Sequence, residues 1–471
     1  MTVTAKSGSV HIGRSKSADY LSEQDQLLGD KFSDDGLESA SPISPFRRGA
    51  ISLTRFVYIA FFLTCGGPYG LEAAVSAGGA CITLIGLLVL PLIWSIPQAL
   101  MTAELATMMP ENGGSVVWVY RGLGQSLGAL NAINTFVAGL IDKCIYPNIF
   151  VAYWPGASES WAAMVIGRPL VLVGLTALNA AGIQTVADSL ALMLLGTMAV
   201  FVLEIPFAAR QFHLADFTKI PDNVDWGVLM SVLLWASTGW DSVGSIAGEI
   251  ADPPRTLPLG LGLAIMLSTF AYVVPVVVGY ALMPDPRLWS TGNGFVAAAR
   301  RAGPWLGALT ILSGLLSSLG LCNAGIASTG QMLCAMGQQT MTRRRVVPAW
   351  FERRSKDGVP LRSFWAQCVV MCVLVQTDLT QLIQLEMVFA CIALLLEFAT
   401  FVVLRQNEPD AIRPFQVPGG WAGVWAITIP KVVVVLATLL ALLISNPVAF
   451  TAALVINLIA FIAFHFILPR K

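Results

Sequence analysis

The stretch Cys65–Gly66–Gly67–Pro68–Tyr69–Gly70–Leu71–Glu72 constrains the fold more than any other part of the chain. It lies inside an apolar run, about 52–77, that is otherwise long enough to cross a bilayer as one helix. Proline lacks a backbone donor and glycine disfavours helix, so residues 66–70 end the helix inside the run. In hydrocarbon every N–H and C=O needs a partner. A non-helical segment at that depth is therefore tolerated only where protein buries it or where it lines a cavity. Discontinuous helices at mid-membrane are how secondary transporters build substrate sites.

The rest of the chain supports a membrane setting. Hydrophobic residues make up 56% of the 471 and charged residues 12%, against about 25% charged in soluble domains. Apolar runs divided by polar turns predict an all-α, polytopic membrane protein with twelve transmembrane helices. The expected spans are 52–77, 81–103, 116–152, 163–182, 188–209, 225–249, 257–283, 304–336, 361–378, 382–404, 421–445 and 447–468. The sixth holds a second break, Ser237–Thr238–Gly239–Trp240–Asp241–Ser242. Breaks in spans one and six match if spans 1–5 and 6–10 are inverted repeats, leaving two extra helices.

Residues 1–50 form a separate region rich in Ser, Asp, Lys and Gly, expected as a disordered cytoplasmic tail, with 51–471 as the transporter domain. The tail has no apolar core of signal-peptide length. Starting inside, twenty of the 28 Lys and Arg fall on the cytoplasmic side, including Arg343, Arg344 and Arg345 between spans eight and nine. Six fall outside, Arg300 and Arg301 among them, so both termini are expected in the cytoplasm and the plasma membrane is the expected location. The eight cysteines show no CxxC pair and the three histidines are scattered, so neither a metal site nor a disulfide framework is expected. No phosphate loop, GxSxG elbow or HExxH occurs in a suitable context, which argues against an enzyme or a nucleotide-driven pump and implies no cofactor. Nothing points to nucleic acid.

Ionisable residues within spans are costly and usually face a cavity or a partner. Here most are acids: Glu72 after the first break, Asp142 beside Lys143 in span three, and Asp241 in the second break. Glu104, Glu204 and Glu249 lie near span ends, and Glu386 and Glu397 in span ten are expected to be structural. Tyr146 shares the face of Asp142 one turn on, whereas Lys143 points about 100° away and is no automatic partner. Carboxylates beside the aromatic faces of Trp240, Tyr69 or Tyr146 suit a small cation, and a desolvated carboxylate can load and release a proton.

These residues carry a resemblance. Glu104–Leu105–Ala106–Thr107–Met108 followed by Pro110–Glu111–Asn112–Gly113–Gly114–Ser115 resembles the signature between spans two and three of amino acid–polyamine–organocation transporters. Trp240–Asp241–Ser242–Val243, Ala247–Gly248–Glu249, Pro254–Arg255–Thr256–Leu257–Pro258 and the loop from Arg405 to Pro418 resemble later parts of the same pattern. Within that superfamily the chain is similar to the plant and protozoan polyamine and cationic amino acid uptake transporters. Gly66–Gly67–Pro68–Tyr69–Gly70–Leu71–Glu72 resembles their GGPFGxE, Gly139–Leu140–Ile141–Asp142 with Tyr146–Pro147 their GxIDxxxYP, and Leu396–Glu397–Phe398 also matches. Trp94–Ser95–Ile96–Pro97–Gln98–Ala99–Leu100 resembles WSIPEAL, with Gln98 in place of an acid.

The resemblance implies proton-coupled import, with Asp142, Tyr146, Trp240 and Asp241 lining the pocket. One half of the substrate site is expected from Gly66, Gly67, Pro68, Tyr69, Gly70 and Glu72. The other half is expected from Trp235, Ser237, Thr238, Gly239, Trp240 and Asp241. Glu72 or Asp241 is expected to take the coupled proton. Pro68 removes an N–H and Glu72 repels anions, which favours a substrate without a carboxylate, of the putrescine or spermidine class. An amino acid permease or exchanger, with or without a partner subunit, stays open, as does a transport-inactive nutrient sensor.

Overall fold

The computed structural model describes residues 51–154, 156, 160–290, 293–338, 345–377, 379–445 and 447–462. The tail 1–50, Arg343 and Arg344 lie outside the described residues. The described part is helical almost throughout. It comprises α1 (Leu53–Thr64), α2 (Glu72–Leu90), α3 (Ile96–Met108), α4 (Ser115–Tyr153), α5 (Arg168–Ala180), α6 (Ile183–Gln211) and α7 (Trp226–Trp235). It continues with α8 (Pro253–Leu282), α9 (Gly294–Ala302), α10 (Pro304–Met336), α11 (Leu361–Leu374), α12 (Leu379–Asn407), α13 (Gly420–Ser445) and α14 (Pro447–Ile462). Seven helical stretches among the described residues are long and apolar enough to cross a membrane. The segments Leu53–Thr64, Trp226–Trp235, Leu361–Leu374 and Phe450–Ile462 are apolar but shorter.

Residue polarity is inverted relative to a soluble domain. Leu92, Leu192, Leu195, Val369, Val373, Val433 and Leu440 are exposed on outer helix faces. Asn131, Asn134, Gln98, Thr102, Glu397 and Lys431 are buried. Lipid accepts the first set, whereas the second needs internal partners. Several side-chain pairs tie helices together: Asn134 to Asn457 at 2.5 Å, Asn179 to Asn323 at 2.7 Å and Thr329 to Gln367 at 2.7 Å.

Both expected helix breaks are present. α1 ends at Thr64, and a non-helical segment through Leu71 leads into α2. Helical backbone ends again at Gly79 (φ 67°), so residues 72–78 form a short arm set off from the rest of α2. A π-helical turn, Pro91–Ser95, then joins α2 to α3. In the sixth span α7 gives way at residues 236–241 to a 3-10 helix, Ser242–Glu249. The third span departs from the expected continuous 116–152: Gly124 (φ 82°) breaks α4 and separates 115–123 from the long segment 125–153.

The two broken spans run antiparallel. Ile51 N–H donates to the Glu249 carbonyl at 3.0 Å and Ala251 N–H to the Ile51 carbonyl at 2.9 Å, joining the start of one to the end of the other. At the opposite end Asp225 N–H donates to the Ala77 carbonyl at 3.1 Å. Between those ties the breaks touch, since a Cβ on Gly239 (φ 93°) would stand 2.7 Å from the Leu63 carbonyl oxygen. An L-residue rarely takes that backbone conformation, so glycine is required at this crossing twice over.

Candidate functional site

The glycines of the first break serve close approach to neighbouring helices. The Gly66 carbonyl accepts from Ser317 Oγ at 2.7 Å, and a Cβ on Gly67 would lie 2.9 Å from Thr197 Cγ2. Pro68 accepts at its carbonyl from Leu71 N–H at 3.0 Å. Gly70 is exposed and faces the Trp235 ring. Tyr69 turns to α10: its hydroxyl lies 2.6 Å from Ser313 Oγ and donates to the Thr310 carbonyl at 3.0 Å. Its ring packs edge-on to Tyr153 and Phe295, at 5.3 and 5.9 Å between centroids.

Glu72 opens the arm that follows the break and is buried. One carboxylate oxygen accepts from Gly70 N–H at 2.7 Å and the other from Tyr153 hydroxyl at 2.7 Å. Helix N-termini attract anions, so the arm carries its own carboxylate there. Glu204 accepts at 3.0 Å from Oγ1 of Thr310, the residue whose carbonyl takes the Tyr69 hydroxyl. Neither acid has a Lys or Arg within 4 Å among the described residues.

The second break is held by its own side chains. Ser237 Oγ donates to the Leu233 carbonyl at 2.8 Å and Thr238 Oγ1 to the Trp235 carbonyl at 2.8 Å. Trp240 Nε1 donates to the Ser237 carbonyl at 3.0 Å, and its buried ring faces a small pocket shared with Ser95, Ser268 and Tyr272. Tyr272 hydroxyl donates to the Ala236 carbonyl at 2.9 Å. Hydroxyls and indole thus take up carbonyls that the missing helical turn leaves free.

The ionisable groups converge beside this break. Gln98 Nε2 donates to Asp241 Oδ1 at 2.8 Å. On α4, Tyr146 hydroxyl donates to Asp142 Oδ1 at 3.0 Å, and Lys143 Nζ pairs with Asp142 Oδ2. The expectation that Lys143 points away from Asp142 is therefore corrected: a four-carbon stem is long enough to bend round the helix. Glu386 is within electrostatic reach of Asp142, Lys143 and Asp241, and one of its carboxylate oxygens is buried with no hydrogen-bond partner. Further along α12, Glu397 senses Asp241 and Lys431. Four carboxylates, those of Asp142, Asp241, Glu386 and Glu397, thus share one region with two ammonium groups, Lys143 and Lys431. Fully ionised, the region carries a surplus of two negative charges.

Gln98 and Glu386 extend the residues expected from sequence. Gln98 was visible only as a departure from WSIPEAL, and its amide now explains that departure: an acid there would face Asp241 across a hydrogen-bond distance. Glu104 and Glu249 are structural. Glu104 takes both Arg405 nitrogens at 2.5 and 2.6 Å, Arg413 at 3.3 Å and Val417 N–H at 2.7 Å. Glu249 accepts from Asn112 at 2.9 Å with Arg354 at 3.8 Å, while Asn112 Oδ1 accepts Gly248 N–H at 2.9 Å. The three sequence motifs around 104–119, 240–258 and 405–418 therefore latch one end of the bundle.

Comparison with known proteins identifies the family. A family model described as amino acid permease matches residues 57–465. The polyamine transporter PUT1 of Oryza sativa subsp. japonica is 33% identical over 404 residues, covering 84% of this chain and 74% of the relative. The polyamine transporter RMV1 of Arabidopsis thaliana is 32% identical, covering 82% and 79%. An uncharacterized transporter of Mycobacterium tuberculosis is 28% identical over 65% of this chain and 68% of its own. The chain belongs to the amino acid permease family of the amino acid–polyamine–organocation superfamily and is an integral membrane transporter rather than an enzyme.

Proposed function

We propose that this transporter imports polyamines of the putrescine and spermidine class by proton symport, through alternating access of the two broken spans. The observation that carries this reading is the excess of four carboxylates, Glu397 buried and Asp142, Asp241 and Glu386 half-buried, over two buried lysines beside the second break. A diammonium cancels a surplus of two charges, as does one ammonium together with one proton. Asp142, Asp241 and Glu386 are the ammonium contacts in this proposal, with Tyr146 and Trp235 supplying aromatic faces. Gly66, Gly67, Pro68, Tyr69, Gly70, Ser237, Thr238, Gly239 and Trp240 shape the two breaks around the substrate. Glu72 and Asp241 are the candidates for the coupled proton.

Two further points favour a substrate without a carboxylate. Gly70 N–H at the first break already binds the Glu72 carboxylate, so a substrate anion would meet an occupied donor and a like charge. Two relatives over most of the chain's length are named polyamine transporters. In this reading the chain has twelve spans, a cytoplasmic tail formed by residues 1–50, both termini inside and a plasma-membrane location.

The test is uptake of labelled putrescine into transport-deficient cells at two external pH values, with unlabelled spermidine, arginine and leucine as competitors. Saturable uptake that rises at lower pH and yields to spermidine alone is expected. Competition by arginine or leucine at equal concentration moves the substrate to an amino acid.

A further inference from the structure

Among the described residues, Glu397 and Lys431 stand out as fully buried charges without full hydrogen-bond partners. Glu397 is 0% exposed and neither carboxylate oxygen meets a partner at full hydrogen-bond geometry, the Ser115 hydroxyl being a weak contact only, while Lys431 is 1% exposed and its Nζ has no hydrogen-bond partner. They come from adjacent helices, α12 and α13, and sense each other and Asp241, although no N···O distance between Lys431 and a carboxylate falls within 4 Å. Lys431 Nζ instead stands 5.0 Å from the centroid of the Phe398 ring. A structural ion pair closes to contact distance because two separated, desolvated charges are costly. The chain has such a pair nearby, in which Glu104 is saturated by Arg405, Arg413 and Val417 N–H.

The unpartnered polar atoms around this pair form a set. Gln98 binds Asp241 through its amide nitrogen and leaves its oxygen free. Thr102 Oγ1, one turn further along α3, and Thr400 Oγ1, three residues beyond Glu397 on α12, are also buried and unpartnered. Ser115 faces Glu397 from the start of α4. The titratable groups facing Glu397 are Asp241 from the second break and Lys431 from α13. Beyond them on α3 and α12 stand Glu104 and Arg405, already engaged with each other. Glu397 precedes Arg405 by eight residues, about 12 Å along the helix. Asp241 is within electrostatic reach of both Glu386 and Glu397, and Arg405 lies beyond Glu397 along α12, so of the two acids Glu397 is the nearer to the latched, arginine-bearing end. Buried polar groups without fixed partners suit a carrier that is present in only part of a cycle.

We propose that Glu397, poised by Lys431, is the proton-release station of the transport cycle, receiving the coupled proton from Asp241 and passing it toward the Arg405 end. The proton leaves the Asp241 carboxyl, travels on water along the Gln98 and Thr102 face, and binds the Glu397 carboxylate. It then departs to water at the Arg405 end, and no other bond changes. The Lys431 ammonium favours the deprotonated carboxylate and so makes release complete. This inference rests on the proton-coupled reading above, and Glu397 is a positioning and relay residue that need not touch the amine.

The experiment uses purified full-length protein in liposomes with labelled putrescine as probe, in two modes. One mode is accumulation driven by an imposed pH gradient; the other is putrescine–putrescine exchange at equal pH, which needs no net proton release. Glu397→Gln lowers the regional surplus to one charge, so its exchange is expected to need more putrescine but to persist at saturation, while gradient-driven accumulation falls about tenfold or more even at saturating putrescine. Accumulation near the wild-type level, or equal loss of both modes in well-folded protein, overturns the proposal. The double variant Glu397→Gln/Lys431→Met removes both charges and guards against misfolding from one unpaired ion. It is expected to exchange but not accumulate, and recovered accumulation shows the pair to be structural and overturns the proposal. Wild-type protein that ignores the gradient overturns the symport reading itself, and this inference with it, independently of either variant.

Discussion

Replacing Gly239 with alanine tests whether contact between the two breaks is required for transport. The added Cβ would lie 2.7 Å from the Leu63 carbonyl oxygen and 3.6 Å from Thr64 Cα. Backbone atoms cannot swing aside as a side-chain tip can, so α1 or the second break has to move by several tenths of an ångström. The backbone at φ 93° adds strain for any L-residue. Strained dihedrals cost about 1–3 kcal/mol and overpacking about the same, so the two together come to about 2–6 kcal/mol. At about 1.4 kcal/mol per factor of ten, transport falls by about thirtyfold or more. The assay is initial-rate uptake of labelled putrescine normalised to membrane-inserted protein, with the thermal midpoint from size-exclusion fluorescence. Gly174→Ala is the control, because a Cβ there meets nothing within 4 Å. It sits within α5, where alanine favours helix by about 1 kcal/mol, so uptake is unchanged. Wild-type rate and midpoint for Gly239→Ala would refute the reasoning.

Other substitutions probe other parts of the account. Glu104→Gln leaves Arg405 and Arg413 buried against a neutral group, at about 3–5 kcal/mol, and is expected to lower the thermal midpoint markedly. Asp188→Asn breaks an exposed pair with Arg55 and is expected to leave the midpoint unchanged. Asp142→Asn removes a charged partner worth about 1.5–3 kcal/mol to an ammonium, so the KM for putrescine is expected to rise about ten- to a hundredfold with insertion intact. Gln98→Glu places a second carboxylate at the position that now donates to Asp241, and uptake is expected to depend more steeply on external pH than in the wild type. An unchanged pH profile for that variant removes Gln98 from the coupling region.

The breaks were legible in the sequence because their cause is local. Glycine and proline at 66–70 and Ser237–Thr238–Gly239 at the other crossing forbid continuous helix whatever surrounds them. The apolar runs likewise mark helices well: 304–336 was expected and Pro304–Met336 is observed. The break at Gly124 was not legible although Gly122, Gly124 and Gly128 lie close together with Gln125 and Ser126, because glycine permits a turn without requiring one and the turn there depends on how 115–123 lies against its surroundings. Side-chain direction was less legible still. Tyr69 and Trp240 lie within the breaks in sequence, yet the Tyr69 hydroxyl is taken by α10 and the Trp240 indole by the Ser237 carbonyl. Glu386 and Glu397, expected as structural, have unpartnered oxygens, whereas Glu104 has every partner it needs. That difference depends on which helices meet at each acid, and residue spacing along one helix does not encode it.

The central claim is that surplus negative charge on buried and half-buried carboxylates beside the second break selects a small cation bearing two or more ammonium groups and no carboxylate. Equilibrium binding of labelled putrescine to purified protein tests it most directly, with spermidine, n-butylamine and arginine as competitors and Asp241→Asn alongside. The account predicts saturable binding displaced by spermidine, about tenfold or more weaker displacement by the monoamine, no displacement by arginine, and loss of binding in the variant. Displacement by arginine as strong as by spermidine, or full binding by Asp241→Asn, contradicts it.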